Sequence, residues 1–323
     1  MRTIGLEEHY ASPAYAKGPG RSWSKFSQFT PKVTAQLRDV GEHRIAQMDA
    51  AGVETQVLSL VSPGVEQLDV PGAVRIARES NDFVAEAVRR HPTRLAGFAS
   101  VPTQAPDKAA DELERSVRQL GFVGALINGH SRGRYLDDRF FWPILERAEA
   151  LGVPIYLHPT LPPEPVKKAY YRGNFAPEVA ARLAGAGWGW HIETGLHVLR
   201  IILSGAFDEY PKLQLVVGHS GEALPFMLER LDGFIAQKTT RLERPIGSYL
   251  RENVHYTFSG FNFAPIFLSL LLEVGVERII FSTDYPFGSM KQARTFLDGL
   301  PVSPLDRERI AHLNAERLLR LPA

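Results

Sequence analysis

The chain has 323 residues, with 37 Lys and Arg against 36 Asp and Glu for a net charge of +1, 44 % hydrophobic and 23 % charged residues, and no cysteine. So small a net charge offers no field to draw nucleic acid or an anionic membrane surface, and the composition is that of a globular protein. Without cysteine there is no disulfide and no thiolate chemistry, which leaves His, Asp and Glu as the strong metal ligands.

Short apolar runs alternate with helical patterns about eight times. Thr3–Leu6 predicts a first strand, then comes a long connection over residues 10–40 carrying Tyr10, Tyr15, Trp23, Phe26 and Phe29, then a helix over Arg44–Ala51. Strands over Thr55–Leu60, Leu95–Ser100 and Gly124–Ile127 are each followed by a helical pattern, over Ala73–Arg90, Asp107–Leu120 and Phe141–Leu151. A strand over Pro154–Leu157 leads into a second long connection, residues 159–190, with Tyr170, Tyr171, Phe175, Trp188 and Trp190, and a helix over Glu193–Phe207. Leu215–Val217, Val254–Thr257 and Arg278–Phe281 complete the strands, with helices over Leu224–Ala236, Phe267–Val274 and Pro304–Leu319.

This alternation predicts parallel strands with crossover helices, closed as one (β/α)8 barrel over residues 1–323. Gly52, Gly121 and Gly152 each end a helical pattern just before a strand, the place for a left-handed C-cap, and those turns are expected on the face opposite the site. The long aromatic connections are expected on the site's face, covering a ligand, or packing on each other or on a partner subunit. No basic segment followed by an apolar one opens the chain and no apolar run reaches about 18 residues, so a cytoplasmic location is expected.

Candidate ligands fall at strand ends. Glu7 and His9 lie two apart, so on an extended strand both face one way while Glu8 faces the other. His158, His219 and Asp284 close three further strands, and residues at the C-terminal ends of barrel strands converge on one mouth. Glu7, His9, His158 and Asp284 would suffice for one divalent cation, Zn²⁺ or Mn²⁺, with a position left for water or substrate. A second ion is not expected, because the end of strand four reads Ile127-Asn128 where a bridging Lys or Glu is usual. His219, with Glu222 three residues on, reads as a base oriented by a carboxylate, or as a further ligand. His191 reads as a packed histidine or a residue lining the pocket, and Ser259 as part of a turn or a substrate contact.

These residues resemble the amidohydrolase superfamily, in its branch of non-oxidative decarboxylases acting on γ-resorcylate, 2,3-dihydroxybenzoate and aminocarboxymuconate semialdehyde. The resemblance runs nearly end to end. It is carried by Leu6-Glu7-Glu8-His9, the run Gly121 to Leu126, Tyr156-Leu157-His158-Pro159, the run Leu203 to Asp208, Gly218-His219-Ser220-Gly221-Glu222 and the run Phe281 to Phe287. It implies one Zn²⁺ or Mn²⁺ on Glu7, His9, His158 and Asp284, a His219–Glu222 pair beside the substrate, and Asp284 doubling as ligand and proton carrier. It also implies that Arg230 reaches a neighbouring subunit's site in a homodimer or homotetramer, and it places Arg44 and Asn128 at further substrate-binding positions.

The implied reaction is loss of CO₂ from an ortho-hydroxylated aromatic or vinylogous carboxylate. The rival within the superfamily is a hydrolase or hydratase acting on a lactone, amide or conjugated bond. A non-catalytic barrel that binds metal or a partner is a third reading. One departure bears on substrate: after His158 the chain reads Pro159-Thr160-Leu161-Pro162-Pro163 where many benzoate-type members read Pro-Arg-Asn, so a charged wall has become neutral and proline-stiffened.

Overall fold

A computed structural model describes residues 1–21 and 29–321. Trp23 and Phe26 of the first long connection lie outside the described residues. Eight parallel strands follow in chain order, β1 (Ile4–Tyr10), β2 (Thr55–Leu60), β3 (Leu95–Gly97), β4 (Ala125–Asn128), β5 (Ile155–His158), β6 (Leu215–Val217), β7 (Val254–Thr257) and β8 (Ile279–Ile280). They form one run β1-β2-β3 and another β4-β5-β6-β7-β8. Parallel bridges join the two runs at both seams, Ala99 with Ala125 and Glu8 with Tyr285, the second carried by a 2.7 Å bond from His9 N to Tyr285 O. The sheet therefore closes on itself as the expected barrel.

Val57, Phe98, Leu126, Tyr156, Val216 and Ile280 fill the interior with Ile4 and Leu6, and Ala315 and Leu319 of the last helix join this cluster. A larger apolar layer packs the helices onto the outside of the strands. The C-caps at Gly52, Gly121 and Gly152 are left-handed, with φ of 72°, 74° and 64°. A Cβ at such angles is strained, so glycine is the residue that ends these helices cheaply.

Several elements differ from expectation. β1 runs to Tyr10, so Glu7 and His9 lie within the strand. Its register against β2 shifts between Gly5 and Glu8, a bulge that keeps Leu6 among the interior residues while bringing Glu7 and His9 in above it. The helix expected over Glu193–Phe207 starts earlier, at Gly189, and breaks at Gly205 into Gly189–Leu203 and Ala206–Glu209. The last helix carries a π turn at Arg309–Leu313, and there Ile310 O accepts from Phe281 N at 2.8 Å, tying the helix to the end of β8. Helices at Ile246–Glu252 and Met290–Asp298 were not anticipated. The long connections contain short helices, Pro13–Lys17 and Pro31–Arg38 in the first, Glu164–Tyr170 and Pro177–Ala184 in the second.

Candidate metal and catalytic site

Glu7, His9, His158 and Asp284 come together at the C-terminal mouth of the barrel, their donor atoms all within 4.8 Å of one another. Glu7 Oε1 is 3.2 Å from His158 Nε2 and 3.9 Å from His9 Nε2, and His9 Nε2 is 3.4 Å from Asp284 Oδ1. Donor atoms sharing one cation at about 2.0–2.2 Å are necessarily about 3–4 Å apart. Three of the four side chains are almost wholly buried, while that of Asp284 is 17 % exposed.

His9, His158 and Glu7 are held from behind. Ser59 Oγ meets His9 Nδ1 at 3.1 Å and Pro159 O meets His158 Nδ1 at 2.8 Å, which leaves both Nε2 atoms facing the cluster. Tyr156, two residues before His158 and on the same face of β5, donates its hydroxyl to Glu7 Oε2 and also meets Thr257 Oγ1. Gly218 keeps this corner open, since a Cβ there would lie 2.5 Å from Glu7 Oε2. Glu8 turns the other way, accepting from Gln56 Nε2, Ser282 Oγ, Thr283 N and Thr283 Oγ1. It clamps β1 to the segment that carries Asp284, although burial pushes its pKa up to about 7.

The residues fit a divalent cation. Among the described residues Glu7 Oε1 and His9 Nε2 are buried with no hydrogen-bond partner, an arrangement that would waste both donors unless a cation joined them. Two imidazoles and two carboxylates are a donor set for Mn²⁺ or Zn²⁺. Burial would raise the Glu7 pKa, but His219, His158 and His9 around it hold it well below the usual range, so it is ionised as a ligand must be. Burial lowers that of His158, which keeps its imidazole neutral.

Beside this cluster His219 Nδ1 meets Glu222 Oε1 at 2.7 Å, and its Nε2 lies 3.6 Å from Glu7 Oε1. Desolvation works against a charge on His219, yet Glu222 and then Glu7 outweigh it and raise its pKa to about 10. His191 Nδ1 meets the second oxygen, Glu222 Oε2, also at 2.7 Å. His219 and Asp284 both sit in the left-handed region, φ 50° and 59°, where non-glycine residues are rare and held by their surroundings.

The other expected residues are placed differently. Arg44 is wholly buried and gives its donors to Asp39 O, Gln56 Oε1, His9 O and Gln36 O, with its guanidinium over the Tyr285 ring. In this placement Arg44 braces the end of β1. Asn128 ends β4 in register with His158, and its N donates to Glu66 Oε1 while Oδ1 is buried without a partner among the described residues. Arg230 is exposed on the helix Leu224–Phe234, its guanidinium over the Phe234 ring. Ser259 is buried and meets Thr257 Oγ1, behind the site. From the first connection, Phe29 packs edge-on against Phe287, which itself packs against His9.

A sequence profile described as Amidohydrolase matches residues 38–321. The chain belongs to the amidohydrolase family. It is 39 % identical over 334 aligned residues to the γ-resorcylate decarboxylase of Polaromonas sp. strain JS666, covering 98 % of each chain. A crystal structure of a dihydroxybenzoic acid decarboxylase from Polaromonas sp. JS666, with manganese and the inhibitor 2-nitroresorcinol bound, matches with a TM-score of 0.89 and 38 % identity, over 99 % of this chain and 97 % of that one. The 5-carboxyvanillate decarboxylase of Novosphingobium aromaticivorans, in complex with manganese and 4-hydroxy-3-methoxy-5-nitrobenzoic acid, matches at 0.91 and 34 % identity, over 99 % and 96 %.

Proposed function

We propose that this member of the family is a carbon–carbon lyase that removes CO₂, without oxidation, from an ortho-hydroxylated aromatic carboxylate, using one divalent cation. The observation that carries the reading is the cluster of Glu7, His9, His158 and Asp284, with two buried donor atoms left without partners and facing one another. The substrate class rests on the likeness to decarboxylases that act on such acids.

Glu7, His9, His158 and Asp284 would hold the cation, which would supply positive charge against the negative charge that develops on substrate oxygen. Asp284, the partly exposed member, takes a proton from solvent at the mouth and delivers it to the ring carbon that bears the carboxylate. Protonation there interrupts the aromatic ring, and cleavage of the carbon–carboxylate bond releases CO₂ and restores it. His219 presents Nε2 toward the substrate, its ring oriented by Glu222. Arg230, exposed on its own subunit, serves the neighbouring site in a dimer or tetramer. The neutral wall of Thr160, Leu161 and Pro162 favours a ring less charged or bulkier than a dihydroxybenzoate on that side.

CO₂ release from a panel of ortho-hydroxylated benzoates, methoxylated and alkylated rings included, tests the reading with manganese-loaded and chelator-stripped protein. Metal-dependent release from at least one acid is expected. A protein that binds manganese stoichiometrically yet releases no CO₂ from any of them overturns it.

A further inference from the structure

Glu222 uses both carboxylate oxygens, one on each of two histidines, and the second histidine belongs to a different part of the chain. His219 lies three residues before Glu222 at the end of β6, whereas His191 stands on the first turn of the helix Gly189–Leu203. The Glu222 side chain has no exposed surface and the two imidazoles have 7 % and 12 %. The two rings pack edge to face with centroids 4.6 Å apart, and Phe261 lies edge-on against both.

Gly195, one helical turn after His191 and on the same face, brings the helix backbone against this corner. A Cβ at Gly195 would lie 2.6 Å from Glu222 O. One helix face therefore meets Glu222 twice, with a ring on its carboxylate and a bare Cα on its backbone. His191 is anchored in turn by its own surroundings. Its Nε2 lies 3.2 Å from Trp190 Nε1 and 3.1 Å from Ala186 O, the latter part of the long connection over residues 159–190.

We propose that His191 is a positioning residue, which fixes the Glu222 carboxylate on His219 and ties that pair to the 159–190 connection. A buried carboxylate with one oxygen unpaired would take up a proton or turn toward another donor. With an N–H of His191 on Oε2, Glu222 stays ionised and Oε1 stays on His219 Nδ1. His219 then keeps its proton on Nδ1, and Nε2 faces the substrate. The chain does not work as a wire for protons. A proton passed through Glu222 would arrive at Nδ1, which already donates, and not at Nε2. The sequence could not place His191 here, because the contact spans 31 residues and depends on a helix that starts four residues before the apolar pattern does.

The inference rests on the proposed role of His219, so its test includes a readout that needs no turnover. His191→Leu removes the donor, and His191→Asn places an amide N–H where Nδ1 stood. In manganese-free protein, NMR of the nitrogen-15-labelled His219 ring should show a downfield, slowly exchanging Nδ1 proton, held on Glu222 Oε1, in the wild type and in His191→Asn, and its loss or fast exchange in His191→Leu. In the decarboxylation assay His191→Leu should lose about 10–100-fold in kcat with KM within about two-fold, and His191→Asn should recover most of it. Trp190→Phe, which leaves Nδ1 untouched, should cost about three-fold or less. An unchanged His219 Nδ1 proton signal in His191→Leu, or an Asn variant no better than the Leu variant, overturns the proposal. Should the wild type release no CO₂ while the NMR result holds, the decarboxylase reading fails and the positioning role stands.

Discussion

Chemistry at the residue scale depends on donors that are aimed before any ligand arrives. His9 and His158 are turned by Ser59 and Pro159 O, and Glu7 by Tyr156, so that their free atoms face one another. Asp284 alone combines a place in this cluster with an opening to the mouth, which singles it out to carry the proton. Asp284→Asn should lower kcat by about 10²–10⁴-fold while manganese binding is weakened and not lost, measured by steady-state kinetics beside metal analysis of the purified variant. Near-normal turnover would remove Asp284 from that role. The candidate ligands were legible in the sequence because a period of two and strand-end positions suffice to identify them. Their supports were partly legible. Tyr156 stands two residues before His158 and shares its strand face, a signal the spacing contains. The bracing contacts of Arg44 were not legible, since nothing in a sequence shows that an arginine is buried with its donors on backbone carbonyls.

At the scale of elements, the bulge in β1 and the turns after β6 and β8 decide where the site lies. The bulge shifts the pleat by one residue, so apolar Leu6 and acidic Glu7 both point inward, and the carboxylate sits on top of the barrel core. Glycines make two kinds of contribution, and substitution separates them. Gly121→Ala meets open space but a φ of 74°, and should cost about 1 kcal/mol in urea unfolding with kcat unchanged. Gly218→Ala should instead drive a methyl into Glu7 and lower manganese affinity by at least about ten-fold, read by titration with the metal. Equal effects of the two on metal binding would contradict the placement of Gly218. Strand positions were legible to within a few residues because fully buried runs are short and bounded by turns. The bulge and the π turn were not, because each answers a tertiary demand, a register in one case and a carbonyl for Phe281 N in the other.

On the scale of the whole molecule, closure of eight strands gathers residues as distant as Glu7 and Asp284, and the fold also buries histidines outside that cluster. Burial pushes His197 and His255 down to about 3. Both are neutral in the fold and take up a proton near pH 6.5 when unfolded, so the stability they allow is full above pH 6.5 and is lost as pH falls toward 3. Each contributes up to about 2 kcal/mol of loss between pH 6.5 and 5. His255→Asn should therefore lose less stability than the wild type over that interval in urea titrations, and an identical slope would show that His255 takes up a proton within the fold. Glu66, raised to about 7 by burial, acts in the opposite sense and disfavours the fold as pH rises from about 4.5 to 7. Assembly is tested by mixing Arg230→Ala with Asp284→Asn subunits, which should recover about a quarter to a half of wild-type activity if an arginine serves its neighbour's site, and none if each site is self-contained. The most direct test of the account is the mass balance of the reaction in deuterated, oxygen-18 water. The expected product carries one deuterium on the carbon that lost its carboxylate, with one CO₂ per product, no oxygen-18 in the ring product, and no reaction after chelation. Oxygen-18 in the product without CO₂ would contradict the account and make the protein a hydrolase or hydratase.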